Sequence, residues 1–218
     1  MYFENREQAG QVLAAELLAK YRYDDCVVVA LSDGGVIVGE QIARSLHCLI
    51  TMLLVEEIEV PGESVSYGGV SQSGNFTYNG MFSAGEVEEY NSEYHNYFEQ
   101  QKQYAFEKIN RLLGDGGIIN NDMLRDHVVI LVADGFDTGS SLDVAVEFLK
   151  PIRIKRLVVA TPISTVQAVD KMHILADEIH ILDVKENFMG IDHYYNQNTI
   201  PSHEETIAKI NQIVLNWH

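Results

Sequence analysis

Short, mostly apolar runs alternate along this chain with segments whose apolar residues recur at helical spacing. The apolar runs predict buried strands at residues 26–31, 49–55, 128–132, 157–160 and 179–182. The helical spacing predicts amphipathic helices that begin near residues 5, 33, 142, 165 and 202, the first of them behind a capping box at residues 5–8. Because strands alternate with helices, we expect an α/β fold with a doubly wound, mostly parallel sheet.

The middle of the chain departs from this alternation. Residues 67–82 alternate loosely between apolar and polar positions, and Gly74-Asn75 within them predicts a hairpin turn. Residues 84–113 have the pattern of a long polar helix, which Gly114-Asp-Gly-Gly117 would end. We therefore predict a single domain over residues 1–218, in which residues 64–113 insert a hairpin and a helix as a small hood.

Aromatic residues recur at spacings of three and four along the predicted long helix. They are Tyr90, Tyr94, Tyr97, Phe98, Tyr104 and Phe106. Such rings form either a packing face or a platform on which bases stack. The acidic neighbours Glu86, Glu88 and Glu89 favour the packing face, because they would repel a nucleic acid.

Composition narrows the classes of function. The net charge is −17, with 32 acidic against 15 basic residues, which argues against a nucleic-acid-binding surface. No apolar run approaches membrane-spanning length and residues 1–6 do not resemble a signal peptide, so we expect a cytoplasmic protein with no membrane partner. Cys26 and Cys48 form no CxxC pattern and fit buried, reduced thiols.

The motifs of this sequence support neither a zinc site nor a serine hydrolase site. The eight histidines lack zinc-ligand spacing, so no metal site is identified with certainty. Ser140 and Ser141 lie outside any Gly-x-Ser-x-Gly motif, which argues against a serine hydrolase.

The most informative segment is the predicted strand at residues 128–132 with the loop and helix that follow it. The loop consists of Asp134, Gly135, Phe136, Asp137, Thr138, Gly139, Ser140 and Ser141. A loop of Gly, Thr and Ser that opens a helix presents backbone N–H groups and hydroxyls at the positive end of the helix dipole, which favours phosphate. An ordinary corner between strand and helix, capped by Thr and Ser, is the alternative.

This segment resembles the phosphoribosyl-pyrophosphate (PRPP) signature of the type I phosphoribosyltransferases. That signature is an apolar strand, two acidic residues, two further residues, and then Asp or Ala followed by Thr-Gly-x-Thr/Ser. Asp134 matches the second acid and Ala133 replaces the first, while residues 137–141 match the loop. The resemblance implies that residues 137–141 bind the 5′-phosphate, that Asp134 and Gly135 lie at the ribose, that Asp137 is the candidate base, and that Mg²⁺ is the cofactor.

The resemblance to a bacterial subfamily of predicted phosphoribosyltransferases extends over nearly the whole chain. Its landmarks in this sequence are Phe3-x-Asn5-Arg6-x-x-Ala9-Gly10, Ala30-Leu31-Ser32-Asp33-Gly34-Gly35-Val36, Val55-Glu56-Glu57-Ile58-x-x-Pro61-Gly62, Gly68-Gly69-Val70, Ala160-Thr161-Pro162-Ile163, Ala176-Asp177-Glu178 and Phe188-x-Gly190-x-x-x-Tyr194. Their order and spacing carry the likeness, which also implies a homodimer and an acceptor pocket built by residues 67–82 and the long helix.

The chain departs from the subfamily where the pyrophosphate is held. Ser32, Asp33, Gly34 and Gly35 occupy the pyrophosphate loop, with Asp33 in place of an arginine. Glu56 and Glu57 replace an Arg-Lys pair. Two unit charges about 4 Å apart interact by roughly 4 kcal/mol at an effective dielectric of about 20, so each reversal turns attraction into a comparable repulsion.

Three functions are compatible with this sequence. The first is a phosphoribosyltransferase that transfers the phosphoribosyl group of PRPP to a nucleobase-like acceptor. The second is a catalytically degraded relative that binds a nucleotide or a small phosphate compound in a regulatory role. The third is a different doubly wound enzyme whose loop only mimics the signature.

Overall fold

A computed structural model describes residues 2–113, 119 and 121–215 of the chain. These residues form two compact units. The first unit comprises the described parts of Met1–Met52, Ile119–Asp137 and Ile152–His218, and the second comprises those of Leu53–Ile118 and Thr138–Pro151. The prediction that residues 64–113 are an insertion in a single domain stays a prediction.

The strands and helices of the described residues follow the predicted alternation. The strands are β1 (Cys26–Ala30), β2 (Leu49–Met52), β3 (Val55–Glu59), β4 (Ser66–Ser71), β5 (Phe76–Tyr78), β6 (Val128–Val132), β7 (Arg156–Thr165) and β8 (Glu178–Lys185). The helices are α1 (Arg6–Tyr21), α2 (Asp33–Leu46), α3 (Ala84–Leu113), α4 (Ser140–Leu149), α5 (Val166–Leu175) and α6 (His203–Leu215). No helix among them is long and apolar enough to cross a membrane.

The first unit is built on a sheet of five parallel strands in the order β2-β1-β6-β7-β8. From the central pair β1 and β6 the chain adds strands outward in both directions, which confirms the doubly wound, parallel sheet. The predicted second strand was too long, because β2 ends at Met52 and Val55 begins a strand of the other unit. The apolar run is continuous across that point, so its periodicity does not show where the chain leaves the sheet.

Burial and capping explain the elements of the first unit. Every residue of β1 and β6 is buried, as expected for central strands covered on both faces. The backbone N–H of Gln8 donates to the Asn5 side chain at the start of α1, and that of Gly35 donates to the Ser32 hydroxyl at the start of α2. Each cap fixes the point at which a helix leaves its preceding strand or loop.

The second unit contains a small antiparallel sheet in the order β3-β4-β5, together with α3 and α4. The predicted hairpin is confirmed as β4 and β5, and the predicted long helix has the bounds of α3, which is kinked at Tyr94, where φ is −115° and ψ is 20°. The rings of Tyr67 and Phe98 stack with centroids 3.9 Å apart. Phe98 is buried, whereas Tyr104 and Phe106 are exposed, so the packing face is confirmed for part of the aromatic set. The predicted helix end at residues 114–117 lies outside the described residues.

Candidate functional site

The turns that follow β1 and β6 lie side by side at one edge of the sheet. The two strands are adjacent and parallel, so their carboxyl ends coincide. The Ser32 hydroxyl donates to Asp134 Oδ1 over 3.0 Å and thereby connects the two turns. The structure thus brings the predicted pyrophosphate loop against the acid of the predicted phosphoribosyl signature.

A cleft of about 600 Å³ opens at this edge within the first unit. Its lining residues are Arg6, Ser32, Asp33, Gly34, Asp134, Asp137, Phe188, Met189, Gly190, Ile191, Asp192, His193 and Ile200. The lining therefore combines the two turns predicted from sequence with Arg6, Ile200 and the segment 188–193 that follows β8. This cleft is the candidate functional site.

Arg6 is the basic residue at the centre of this site, and the sequence analysis assigned it no role. Its Nε donates to Asp134 Oδ2 over 2.6 Å and its Nη2 donates to Asp192 Oδ1 over 2.6 Å. Burial by itself would lower the pKa of Arg6, but the charge and hydrogen bond of Asp134, helped by Asp192, raise it above its usual value. Arg6 is therefore a permanent cation held between two carboxylates.

Gly34 allows the Asp134 carboxylate to approach the pyrophosphate loop. A Cβ atom at Gly34 would lie 2.1 Å from Asp134 Oδ2 and 2.9 Å from Arg6 Nε. Those distances are far below van der Waals contact, so any larger residue would displace the ion pair. The backbone carbonyl of Asp134 is held as well, since it accepts a hydrogen bond of 2.6 Å from the Tyr195 hydroxyl.

Two further acids of the predicted site have distinct surroundings. Asp33 Oδ1 lies 3.1 Å from Nδ1 of His203, the first residue of α6. Asp137 is an exposed residue at the cleft, yet its carboxyl is partly desolvated by the surrounding atoms, which raises its pKa above the ordinary value. A raised pKa brings a carboxyl nearer to the range in which it exchanges protons at neutral pH, which suits a general base.

The remainder of the predicted phosphate loop belongs to the second unit. Gly139 adopts φ +67°, a left-handed conformation that disfavours other residues, and α4 begins directly after it. The N–H of Ser140 donates to the Thr138 hydroxyl, whereas the N–H groups of Thr138, Gly139 and Ser141 have no partner among the described residues. The Ser140 hydroxyl is buried against the Ser66 hydroxyl, 2.8 Å away, so it is not available to a phosphate at this loop.

Glu56 and Glu57 lie on β3 of the second unit. The Glu56 carboxylate forms an ion pair with Lys108 of α3, with 2.7 Å between Oε2 and Nζ. This glutamate, which replaces a basic residue of the subfamily, therefore has a cationic partner of its own.

The segment 188–193 and Arg6 are the parts of the cleft that sequence reasoning left without a function. In the sequence both are recognised only as parts of subfamily landmarks, namely Phe188-x-Gly190-x-x-x-Tyr194 and Phe3-x-Asn5-Arg6. Nothing in their spacing links residue 6 with residue 192, because 186 positions separate them. Only the folded chain shows that they meet.

The profile of the phosphoribosyl transferase domain matches residues 2–198 of this chain. The chain belongs to that family. Two Mycobacterium tuberculosis proteins, from strains CDC 1551 / Oshkosh and H37Rv, carry provisional names as phosphoribosyl transferases and are 24% identical to it over 207 residues. The match covers 94% of this phosphoribosyl transferase domain and 46% of each relative, so the chain spans about half their length.

A solved structure agrees with the domain along its whole length. The protein TT1426 from Thermus thermophilus superposes with a TM-score of 0.73 at 26% sequence identity, covering 100% of this chain and 99% of that one. The doubly wound fold of this phosphoribosyl transferase domain is thus shared with an experimentally determined protein. Among the described residues that line the cleft of this domain, Arg6 is the only Lys or Arg.

Proposed function

We propose that this phosphoribosyl transferase domain binds a phosphoribosyl compound at the edge of its parallel sheet. The observation that carries the proposal is the meeting of Ser32 and Asp134 at adjacent strand ends, in a chain whose family match extends over both turns. The 5′-phosphate binds the loop at residues 137–141 through the free backbone N–H groups of Thr138, Gly139 and Ser141, and Asp134 accepts hydrogen bonds from the ribose hydroxyls. PRPP and a nucleotide both contain this 5′-phosphate and ribose.

If the domain turns PRPP over, the reaction is a displacement at C1 of the ribose. The bond from C1 to the pyrophosphate oxygen breaks, pyrophosphate leaves with the electron pair, and a nitrogen of the acceptor forms the new bond. Asp137 takes the proton that this nitrogen loses. Residues 67–82 and the long helix, where the family resemblance put the acceptor, contribute none of the described residues that line this cleft. Phe188, Met189 and Ile191 instead provide an apolar surface suited to a flat acceptor such as a nucleobase.

Mg²⁺ fits this site only as part of a complex with the ligand. In the described residues no three His, Cys, Asp or Glu side chains are grouped so that they could hold a metal ion. Mg²⁺ in phosphate sites is commonly held by one or two carboxylates together with substrate oxygens, and Asp33 and Asp137 are the carboxylates in question. The ion would neutralise negative charge between these acids and a pyrophosphate.

A regulatory phosphate- or nucleotide-binding protein is the second candidate function. The observation that favours it is the charge of the cleft, whose lining includes Asp33, Asp134, Asp137 and Asp192 against the single cation Arg6. Arg6 is itself paired with two of these carboxylates. A ligand with one phosphate at the loop is compatible with this charge, whereas a bare pyrophosphate beside Asp33 is repelled.

Calorimetric titration with ribose 5-phosphate, PRPP and pyrophosphate distinguishes these functions. Without Mg²⁺ we expect ribose 5-phosphate to bind more tightly than PRPP, because only PRPP places a pyrophosphate near Asp33. Adding Mg²⁺ should strengthen PRPP binding and leave ribose 5-phosphate nearly unchanged. Tight PRPP binding in metal-free buffer, or rapid turnover with a nucleobase, would favour the working enzyme over the regulatory protein; failure to bind any of the three contradicts the proposal.

The Gly139→Val variant tests the phosphate loop. We expect inorganic phosphate and ribose 5-phosphate binding to fall below detection, because valine both strains the φ of +67° and blocks the backbone N–H groups. Gly62→Val is the matched control, since Gly62 has φ +81° and nothing within 4 Å of an added Cβ atom. Both affinities are measured by calorimetry at matched folded fractions. Equal losses of affinity in the two variants would show that the loop does not bind the phosphate.

A further inference from the structure

The guanidinium of Arg6 joins three separate parts of the first unit. Arg6 is the first residue of α1. Its guanidinium contacts Asp134, which lies directly after β6, and Asp192, which lies in the segment after β8. Nη1 donates to Asn198 over 3.1 Å, and the guanidinium lies 4.5 Å from the centre of the Tyr195 ring. All three of its nitrogens therefore have a partner in the described chain.

Burial makes this arrangement costly to disturb. The Arg6 side chain is 2% exposed and the Asp134 side chain 8%, so neither charge is solvated by water. A buried charge is stable only when it has a partner. If either member of the pair is removed, the other remains a buried charge whose desolvation cost is no longer compensated. The Asp192 side chain, by contrast, is 70% exposed, so water solvates its charge. Its contact with Arg6 therefore fixes its orientation and is not needed to compensate a buried charge.

Each carboxylate that contacts Arg6 also faces the cleft. Asp134 is fixed by Arg6 through Oδ2 and by Ser32 through Oδ1, which leaves one lone pair on each oxygen for a ligand. Asp192 is fixed through Oδ1, is largely exposed and lines the same cleft. Without Arg6, the two acids would stand in one cleft with no cation between them.

We propose that Arg6 is a positioning residue that holds the Asp134 and Asp192 carboxylates in place at the cleft, so that a ribose entering it meets two oriented carboxylates. The proposal rests on the proposed function, because it assumes that the cleft binds a ribose compound. It goes beyond that function in assigning part of ribose recognition to a residue at the start of α1 and to Asp192.

Lysine cannot perform this role although it keeps the charge. The planar guanidinium donates in two directions at a fixed angle, whereas an ammonium is a compact point charge on a flexible chain. In the Arg6→Lys variant one of the two carboxylates therefore loses its partner. A hydrogen bond to a charged group is worth about 1.5–3 kcal/mol, which corresponds to roughly 10- to 100-fold in affinity.

The test compares ribose 5-phosphate with inorganic phosphate in calorimetric titrations of the full chain. In Arg6→Lys we expect ribose 5-phosphate affinity to fall about 10- to 100-fold while phosphate affinity stays within about twofold. Arg156→Lys is the matched control, because Arg156 also pairs with a carboxylate, Glu178, but does not line the cleft. A purely structural role for Arg6 would lower both affinities together, and that result overturns the proposal.

A combined variant and a crystal structure complete the test. If Arg6 acts through Asp134 and Asp192, then adding Arg6→Lys to the variant that carries Asp134→Asn and Asp192→Asn should weaken ribose 5-phosphate binding no further. Additive losses overturn the proposal. Should the wild type bind neither probe, the proposed function fails, and a crystal structure of Arg6→Lys still decides the positioning role. Displacement of Asp134 or Asp192 supports it, and unchanged carboxylates overturn it.

Discussion

Replacing Asp134 with alanine should lower the free energy of unfolding by about 3–5 kcal/mol, because it leaves the buried Arg6 guanidinium without its closest partner. A loss of this size is a large share of the roughly 5–15 kcal/mol by which domains are stable. Urea unfolding followed by circular dichroism measures it. Breaking one of the exposed ion pairs should cost less, since most surface ion pairs contribute less than about 1 kcal/mol.

Asp192→Ala is the matched control for this prediction. It removes the other carboxylate of Arg6, but Asp192 is largely exposed, so we expect a loss below about 1 kcal/mol. The double variant Arg6→Met with Asp134→Ala should recover part of the stability lost in Asp134→Ala, because the unpaired buried charge is gone. Equal effects of Asp134→Ala and Asp192→Ala would show that burial does not govern this pair.

Asp33→Arg should strengthen PRPP binding in metal-free buffer by roughly 100-fold. The change reverses a charge in the predicted pyrophosphate loop, and a full charge contact at about 4 Å is worth roughly 4 kcal/mol before screening by water and salt. Asp33 is partly exposed, so we discount that figure to about 2.7 kcal/mol, or two tenfold steps. Ribose 5-phosphate affinity should change by less than about threefold, since its phosphate binds the other half of the site.

Asp170→Arg makes the same change in net charge on the exposed surface of α5 and is the control for long-range effects. Calorimetry at two salt concentrations measures both variants. Adding Glu56→Arg and Glu57→Lys to Asp33→Arg should increase PRPP affinity further if those positions act as in the subfamily, although Lys108 then loses its partner. Similar gains from Asp33→Arg and Asp170→Arg would show that Asp33 does not face the pyrophosphate.

The parallel sheet was predictable because central strands are apolar at every position. The runs that became β1 and β6 have no polar residue, which only burial on both faces explains. The hairpin and the long helix were predictable for a similar reason, since their periodicities of two and of three to four are local. The end of β2 was not, because Leu53 and Leu54 continue the apolar run after the chain has left the sheet.

The phosphoribosyl signature could be found from sequence because its residues are consecutive. Asp134, Asp137 and the Thr-Gly-Ser-Ser loop lie within eight positions, as a backbone cradle at a helix start requires. Their surroundings could not be found in this way. That Ser140 is buried against Ser66, or that Asp33 contacts His203, depends on segments far apart in the chain.

The sequence by itself determined the α/β class, the strands that form the parallel sheet, and the membership of this chain in the phosphoribosyl transferase domain family. These depend on local periodicity and on motifs of neighbouring residues. Only the tertiary structure decided which charges the cleft contains and how they are paired. Arg6 and Asp192 are paired because α1 and the segment after β8 both begin at the same edge of the sheet, and no local pattern encodes a contact between side chains 186 positions apart.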